Sequence, residues 1–312
     1  MDNSAATMKV LFVRSGNSSI DPISTNQGES LQKEGIDIEF FYIKGKGLIG
    51  YLSNIRKLRK FVRIYKPDLI HSHYSFSGIL ASFSFSGVPV GVSLMGSDVN
   101  FSGKIILFLL RFFSRHVWKF TIVKSRKMYE KLRVKSVFII PNGVNFESFR
   151  IIDKYEAQAF LGWDSKSNHL IFASDPKRIE KNFKLANEAI EILYKQNIMF
   201  NVHFIKGISP SEMKYYYCAA DVLLMTSIAE GSPNVIKEAM ACNCPIVSTD
   251  VGDVKEVMKD IPGTYIVGNN TESVAEGIAK ALEFNGRTAG RECIKEIDSS
   301  KIARKLISIY KT

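Results

Sequence analysis

Two carboxylates, Glu230 and Glu238, bracket the stretch Ile228-Ala-Glu-Gly-Ser-Pro-Asn-Val-Ile-Lys-Glu-Ala-Met240. Spacing alone would fit two solvated side chains, and the residues between them add the chemistry. Gly231-Ser232-Pro233 halts the apolar run Asp221-Val-Leu-Leu-Met225 and opens a helix, with Ser232 expected as its cap and Pro233 at its first position. A helix start carries free amides and the positive end of the dipole, so Gly231, Ser232, Pro233, Asn234 and Val235 form a candidate phosphate site. Asn234 and Glu238 are four apart and share a face, while Val235, Ile236, Ala239 and Met240 supply the face that packs on a sheet. A carboxylate beside a diphosphate would repel it, so the two Glu side chains suit hydroxyl groups at either end of the phosphates. A nucleoside diphosphate sugar has both features.

A second cluster points the same way. Ser174-Asp-Pro-Lys-Arg-Ile-Glu-Lys-Asn182 follows the apolar strand pattern His169-Leu-Ile-Phe-Ala173. Taken alone it is a charged turn, but cations at the ligand edge of a sheet suit a diphosphate whose charge grows as it leaves.

The string from Glu230 to Asp253 closely resembles the donor-site signature of the retaining glycosyltransferases of family 4. Pro67-Asp-Leu-Ile-His-Ser-His-Tyr74, Ser93-Leu-Met-Gly-Ser-Asp98 and Ile140-Pro-Asn-Gly-Val-Asn145 are similar to further patterns of that family. The resemblance implies that Glu230 contacts the donor sugar and Glu238 the ribose. It puts Lys181 on the donor phosphates; the accompanying Arg is displaced in spacing, so Arg178 substitutes by proximity and Lys177 competes with it. Met95 stands where many members carry a His, which leaves the backbone near Gly96 and the carboxylate of Asp98 as candidates. Gly16 corresponds to the glycine loop that faces the cleft. The implied fold is α/β: two facing Rossmann-like domains (GT-B) with parallel sheets and an interdomain cleft. Residues 1–148 form the acceptor-side domain, 149–298 the donor domain, and 299–312 a helix that crosses back. The implied reaction moves a sugar from a UDP- or GDP-sugar to an acceptor hydroxyl with retention, without a cofactor or a metal. The lack of an Asp-any-Asp motif at a strand end agrees with the last point.

Composition bounds the alternatives. The 312 residues suffice for two domains of about 150, and 46% hydrophobic with 23% charged residues is ordinary for a soluble globular protein. Ile105-Ile-Leu-Phe-Leu-Leu110 is closed off by Lys104 and Arg111, far short of the roughly 18 apolar residues of a membrane span. Met1-Asp-Asn-Ser-Ala-Ala-Thr-Met8 lacks the basic start and apolar core of a secretory signal, so a cytoplasmic location is expected. Cys218, Cys242, Cys244 and Cys293 lack zinc-site spacing and are read as buried thiols.

Charge is uneven. Residues 1–150 hold 22 Lys/Arg against 10 Asp/Glu, or +12; subtracting from totals of 42 and 31 leaves 20 against 21, or −1, for residues 151–312. Such asymmetry acts on partners. It points to an anionic surface, the inner face of a membrane, and so to a saccharide or lipid-linked acceptor in polysaccharide, lipopolysaccharide or glycolipid synthesis. A nucleic-acid partner is not expected, because the cations are not interleaved with stacking aromatics. A nucleotide-sugar isomerase on the same scaffold is the enzymic alternative.

Strand and helix patterns alternate throughout, which calls for parallel sheets with crossover helices. Strands are expected at 9–14, 36–43, 67–73, 120–123, 137–140, 169–173, 200–205, 222–225, 245–248 and 264–267, and a last helix at about 301–310. A basic amphipathic helix at about 51–65 carries Leu52, Ile55, Leu58, Phe61 and Val62 on one stripe and Arg56, Lys57, Arg59, Lys60 and Arg63 elsewhere. That face is either solvated or set on anionic headgroups. The helix at 105–118 fits core packing or membrane dipping equally. His71 and His73 are read as facing opposite ways, unable to share a metal.

Overall fold

The computed structural model describes residues 7–16, 22–45, 47–172 and 174–312. Residues 17–21, part of the loop of Gly16 expected after the first strand, Ala173 of the expected strand 169–173, and residues 1–6 of the opening segment lie outside the described residues. The chain divides into unit 1, Met1–Gly143 with Ser299–Thr312, and unit 2, Val144–Asp298. Val144 and Phe149 are buried in the core of unit 2, which is why the division falls before Val144 and not after residue 148.

Unit 1 holds a six-stranded sheet of β1 (Lys9–Ser15), β2 (Asp37–Ile43), β3 (Leu69–His73), β4 (Val90–Ser93), β5 (Phe120–Val123) and β6 (Val137–Ile139), in the order β2-β1-β3-β4-β5-β6. Unit 2 holds a five-stranded sheet of β7 (His169–Phe172), β8 (Asn201–Phe204), β9 (Val222–Met225), β10 (Ile246–Thr249) and β11 (Thr264–Val267), in the order β11-β10-β9-β7-β8. Every pairing is parallel. Parallel strands need crossover helices, helices cover both faces, and the central strands therefore read as unbroken apolar runs such as Val222-Leu-Leu-Met225. Alternate residues sort onto the two faces of the unit 2 sheet. Ile171, Leu223 and Ile246 join one core cluster, and Leu170, Phe172, Val222, Leu224 and Val247 the other.

In unit 1 the same alternation corrects the histidine reading. Residues two apart on a strand point the same way. His71 and His73 stack on one face at 4.8 Å between ring centroids, and both pack on Phe12. That face is closed by the helix Ser299–Tyr310, whose Tyr310 hydroxyl lies 2.6 Å from His71 Nδ1 and whose ring stacks on Phe120. Burial, helped by the neighbouring Lys124, holds His71 down at about 3, so the ring is a neutral hydrogen-bonding core element.

The basic helix spans Gly47–Tyr65 and buries Leu58 and Val62, while Leu52 remains half exposed. Three cysteines are buried as expected, but Cys293 is exposed. No helix among the described residues is long and apolar enough to cross a membrane.

Candidate functional site

The site of unit 2 lies where its strand order reverses. β7 and β9 are neighbours, while β8 flanks one and β10 the other. Crossovers leave this seam in opposite directions, and open α/β sheets bind ligands at such points, beyond the carboxyl ends of the strands. The loops that follow β7 and β9 carry the two clusters singled out from sequence, and they are laced together. Thr226 Oγ1 donates to the carbonyls of Lys181 and Asn182 at 3.0 Å each, and the amide of Ile228 donates to the carbonyl of Glu180 at 2.9 Å.

That lacing brings Lys181 Nζ to 2.5 Å from Glu230 Oε1, with side chains 12% and 20% exposed. Both groups thus meet solvent at one edge. Arg178 goes elsewhere. It stands just before the short 3-10 turn Ile179–Lys181 and pairs with Glu180 at 2.6 Å, with both side chains well exposed. The carboxylate two residues on is its nearest partner, so the structure does not bring Arg178 to Glu230. Lys177 is exposed as well, its amide donating to Asp175 Oδ1 at 3.0 Å.

The helix after β9 begins one residue later than expected, spanning Asn234–Ala241 with Pro233 at the N-cap and no side chain capping it. Ser232 is not the cap. Its hydroxyl donates to Asp253 Oδ2 at 2.8 Å and accepts from Lys237 Nζ, which lies 2.8 Å from the same carboxylate oxygen. Lys237 is fully buried, and a buried ammonium needs every acceptor within reach. Burial lowers the Lys237 pKa and the Asp253 charge opposes that shift. The loop after β10 completes the wall. Gly252 has φ +59°, and a Cβ there would stand 2.9 Å from the carbonyl oxygen of Gly231, so only glycine lets the two loops touch. Gly231 and Ser232 are buried in this contact.

Glu238 sits on the first full turn and remains partly open to solvent. The buried Tyr217 hydroxyl donates to its Oε2 at 2.8 Å. Burial pushes the Glu238 carboxyl up to about 7, against the pull of that hydrogen bond. Val235 packs against the core, and Asn234 places its Oδ1 in a buried position without a hydrogen-bond partner among the described residues.

The expected residues of unit 1 form a separate cluster. Asp98, near the start of the short helix Ser97–Asn100, accepts from the amides of Met95 (2.9 Å), Gly96 (3.0 Å) and Ser75 (3.0 Å). Burial raises its pKa and those three amides oppose the rise. Asp98 thus ties together the loops after β3 and β4, and the Gly96 amide, expected to meet a ligand, is spent on it. Gly16 closes the end of β1, donating to the carbonyl of Ile43 at 2.8 Å, and a Cβ there would fall 2.8 Å from Tyr42 Cβ.

Sequence reasoning missed Lys237, Asp253 and Tyr217. A lysine on a helix reads as a solvated residue, and its carboxylate stands on a different loop, so no spacing rule joins them. The only signal for Lys237 and Asp253 was their presence in the quoted donor-site string, and Tyr217 lies outside it.

Two parallel α/β sheets with ligand loops at a switch point define the GT-B class. The sucrose-phosphate synthase of Thermosynechococcus elongatus matches with a TM-score of 0.78 at 16% identity, covering 97% of this chain and 98% of that one. Anabaena HepE, solved in complex with UDP and glucose, matches with a TM-score of 0.74 at 15% identity, covering 97% and 99%. Residues 21–148 match the Glycosyltransferase Family 4 model and residues 182–296 the Glycosyl transferases group 1 model, and the chain belongs to this glycosyltransferase family. A glycosyltransferase assigned to teichuronic acid biosynthesis, TuaC of Bacillus subtilis, is 28% identical over 238 residues, 69% of this chain and 61% of that protein's length.

Proposed function

We propose that the chain transfers a sugar from a nucleoside diphosphate sugar, UDP- or GDP-linked, to an acceptor hydroxyl with retention of configuration. The observation that carries this reading is the Lys181–Glu230 pair at the switch point, beside a helix start that no side chain caps. When a diphosphate arrives, Lys181 exchanges its carboxylate for phosphate oxygens and Glu230 is released to accept from sugar hydroxyls. The first amides of the helix Asn234–Ala241 take the remaining phosphate charge. Glu238, oriented by Tyr217, accepts from the ribose hydroxyls. Positive charge from Lys181 and the helix start stabilises the diphosphate as the glycosidic bond breaks, a transition-state effect worth about 3 kcal/mol for a single lost contact. The reading assigns no cofactor or metal.

Retention is what the family resemblance implies. The acceptor is proposed to be a saccharide or a lipid-linked sugar of cell-surface polysaccharide, lipopolysaccharide or glycolipid synthesis. It would be met by unit 1 at the cytoplasmic face of the membrane, and UDP in the HepE complex supports the donor class.

The test is a thermal-shift screen of UDP- and GDP-sugars, followed by NMR of the anomeric proton. A bound donor at 100 times its dissociation constant should add about 2.7 kcal/mol of stability. If no nucleotide sugar shifts the transition, the reading fails. If a donor alone is epimerised without acceptor, the chain is the isomerase and not the transferase.

A further inference from the structure

Unit 1 presents a helix that is apolar on two sides. In Lys104–His116, Leu110 and Phe113 are buried, while Ile105 (78%), Phe108 (67%), Leu109 (41%) and Phe112 (48%) stand exposed on a second stripe at helical spacing. Phe101, just before the helix, is also exposed. A globular helix normally turns such a stripe inward, and four large apolar side chains in one row mark an interaction surface.

The rim of that stripe names the partner. Between Asp98 and Glu130 the sequence has no acidic residue and seven basic ones; of these Lys104, Arg111, Arg115, Lys119 and Lys127 reach the surface, while Lys124 is buried and Arg126 pairs with Glu130. Arg111, Arg115 and Arg133 converge with Phe108, Phe112 and His116 around a pocket of about 470 Å³. Among the described residues none of these three Arg pairs with a carboxylate. Arg111 donates to the carbonyls of Leu132 and Lys131, and Arg115 to that of Arg133, which holds the guanidinium groups in place without neutralising them. Three convergent guanidinium groups beside an apolar row fit an anionic headgroup above and acyl chains beside it.

We propose that Lys104–His116 is an in-plane membrane anchor that docks unit 1 on an anionic phospholipid bilayer. Phe108 and Phe112 enter the acyl boundary, and the Arg111–Arg115–Arg133 pocket holds a lipid phosphate. The basic helix Gly47–Tyr65 contributes charge but not insertion, because it buries Leu58 and Val62 in the core. This inference does not depend on sugar transfer.

The test is co-sedimentation of the full chain with vesicles of phosphatidylcholine alone and of phosphatidylcholine mixed with phosphatidylglycerol. The wild type should pellet with the mixed vesicles only, less so at high salt. Phe108→Ser/Phe112→Ser and, separately, Arg111→Gln/Arg115→Gln should each weaken binding about tenfold or more, and Lys57→Gln/Lys60→Gln about threefold or less. All positions but Arg111 are exposed, so melting temperatures should stay near wild type, and the Phe pair provides the reading if the Arg pair fails to fold. Three results would overturn the proposal: equal pelleting with both vesicle types, no effect of the Phe changes, or a concentration-dependent dimer that the Phe changes abolish.

Discussion

Two of the lysine–carboxylate pairs of unit 2, Lys181–Glu230 and Lys237–Asp253, involve the segment around the helix start at Asn234, and burial separates their roles. Lys181–Glu230, at 2.5 Å, keeps 12% and 20% of its side chains exposed; Lys237–Asp253, at 2.8 Å, keeps 1% and 7%. Water reaches the first pair, so its partners are exchangeable. The second is closed on Ser232 and fixes the loop that precedes the helix start. A buried pair costs desolvation that its attraction repays only while both members remain, whereas an open pair is cheap to break. Similar chemistry thus gives a buried brace in one place and a pair open to solvent in the other.

The largest expected effect tests the buried pair. Asp253→Ala leaves an ammonium without its counter-charge and should cost about 3–5 kcal/mol in urea unfolding. The double change Lys237→Met/Asp253→Leu should recover most of that stability, yet leave donor affinity impaired because Ser232 loses its anchor. Full recovery of both would make the pair a mere filler of the core.

The open pair should behave the opposite way. Lys181→Ala should lower kcat by roughly a hundredfold or more, about 3 kcal/mol, and Glu230→Gln by tenfold to a hundredfold, about 1.5–3 kcal/mol. Either change should move the unfolding free energy by about 1 kcal/mol or less. Large stability losses with intact kcat would reverse the comparison.

A smaller effect is read from pH. Glu238 titrates at about 7 in the folded chain against an ordinary 4.5. Between those values the folded state holds a proton that the unfolded state has lost, so this group's contribution to stability falls as pH rises through the window and is level above it. If its carboxylate is the hydrogen-bond acceptor for ribose, the donor KM should fall as pH rises through about 7, and Glu238→Gln should flatten both dependences. Tyr217→Phe removes the donor that favours the ionised form and should move the KM transition to higher pH. An unchanged profile in both variants would detach Glu238 from the donor. The smallest effect is expected from Arg178→Ala, within about 0.5 kcal/mol in stability or kcat/KM, since its ion pair with Glu180 is exposed.

Much of the fold was legible because parallel strands buried on both faces leave unbroken apolar runs, as in 10–13 (Val-Leu-Phe-Val) and Val222–Met225. The Glu230 and Glu238 positions were legible for a related reason: a strand end, a Gly-Ser-Pro turn and a helix start are all local in sequence. What failed was nonlocal or depended on direction. The helix cap was misplaced by one residue because Ser232 had a better use, joining the ion pair between Lys237 on the helix that follows and Asp253, 21 residues on. Arg178 was drawn to the site by proximity in sequence, but a 3-10 turn sends it to Glu180. The His71 and His73 reading failed on a period-two rule that the strand itself obeys.

By itself the sequence determined most of the strands, though not β4 at Val90–Ser93, the placement of Lys181 and Glu230 after strands and of Glu238 on the helix that follows, and the charge imbalance between the halves, since these depend on residue type and short spacing. Only the tertiary structure decided which charges are buried, which amides are spent, as Gly96 is on Asp98, and which of two basic helices turns its apolar face outward. Burial and hydrogen-bond partnership belong to pairs of segments brought together by folding, and no single segment carries them.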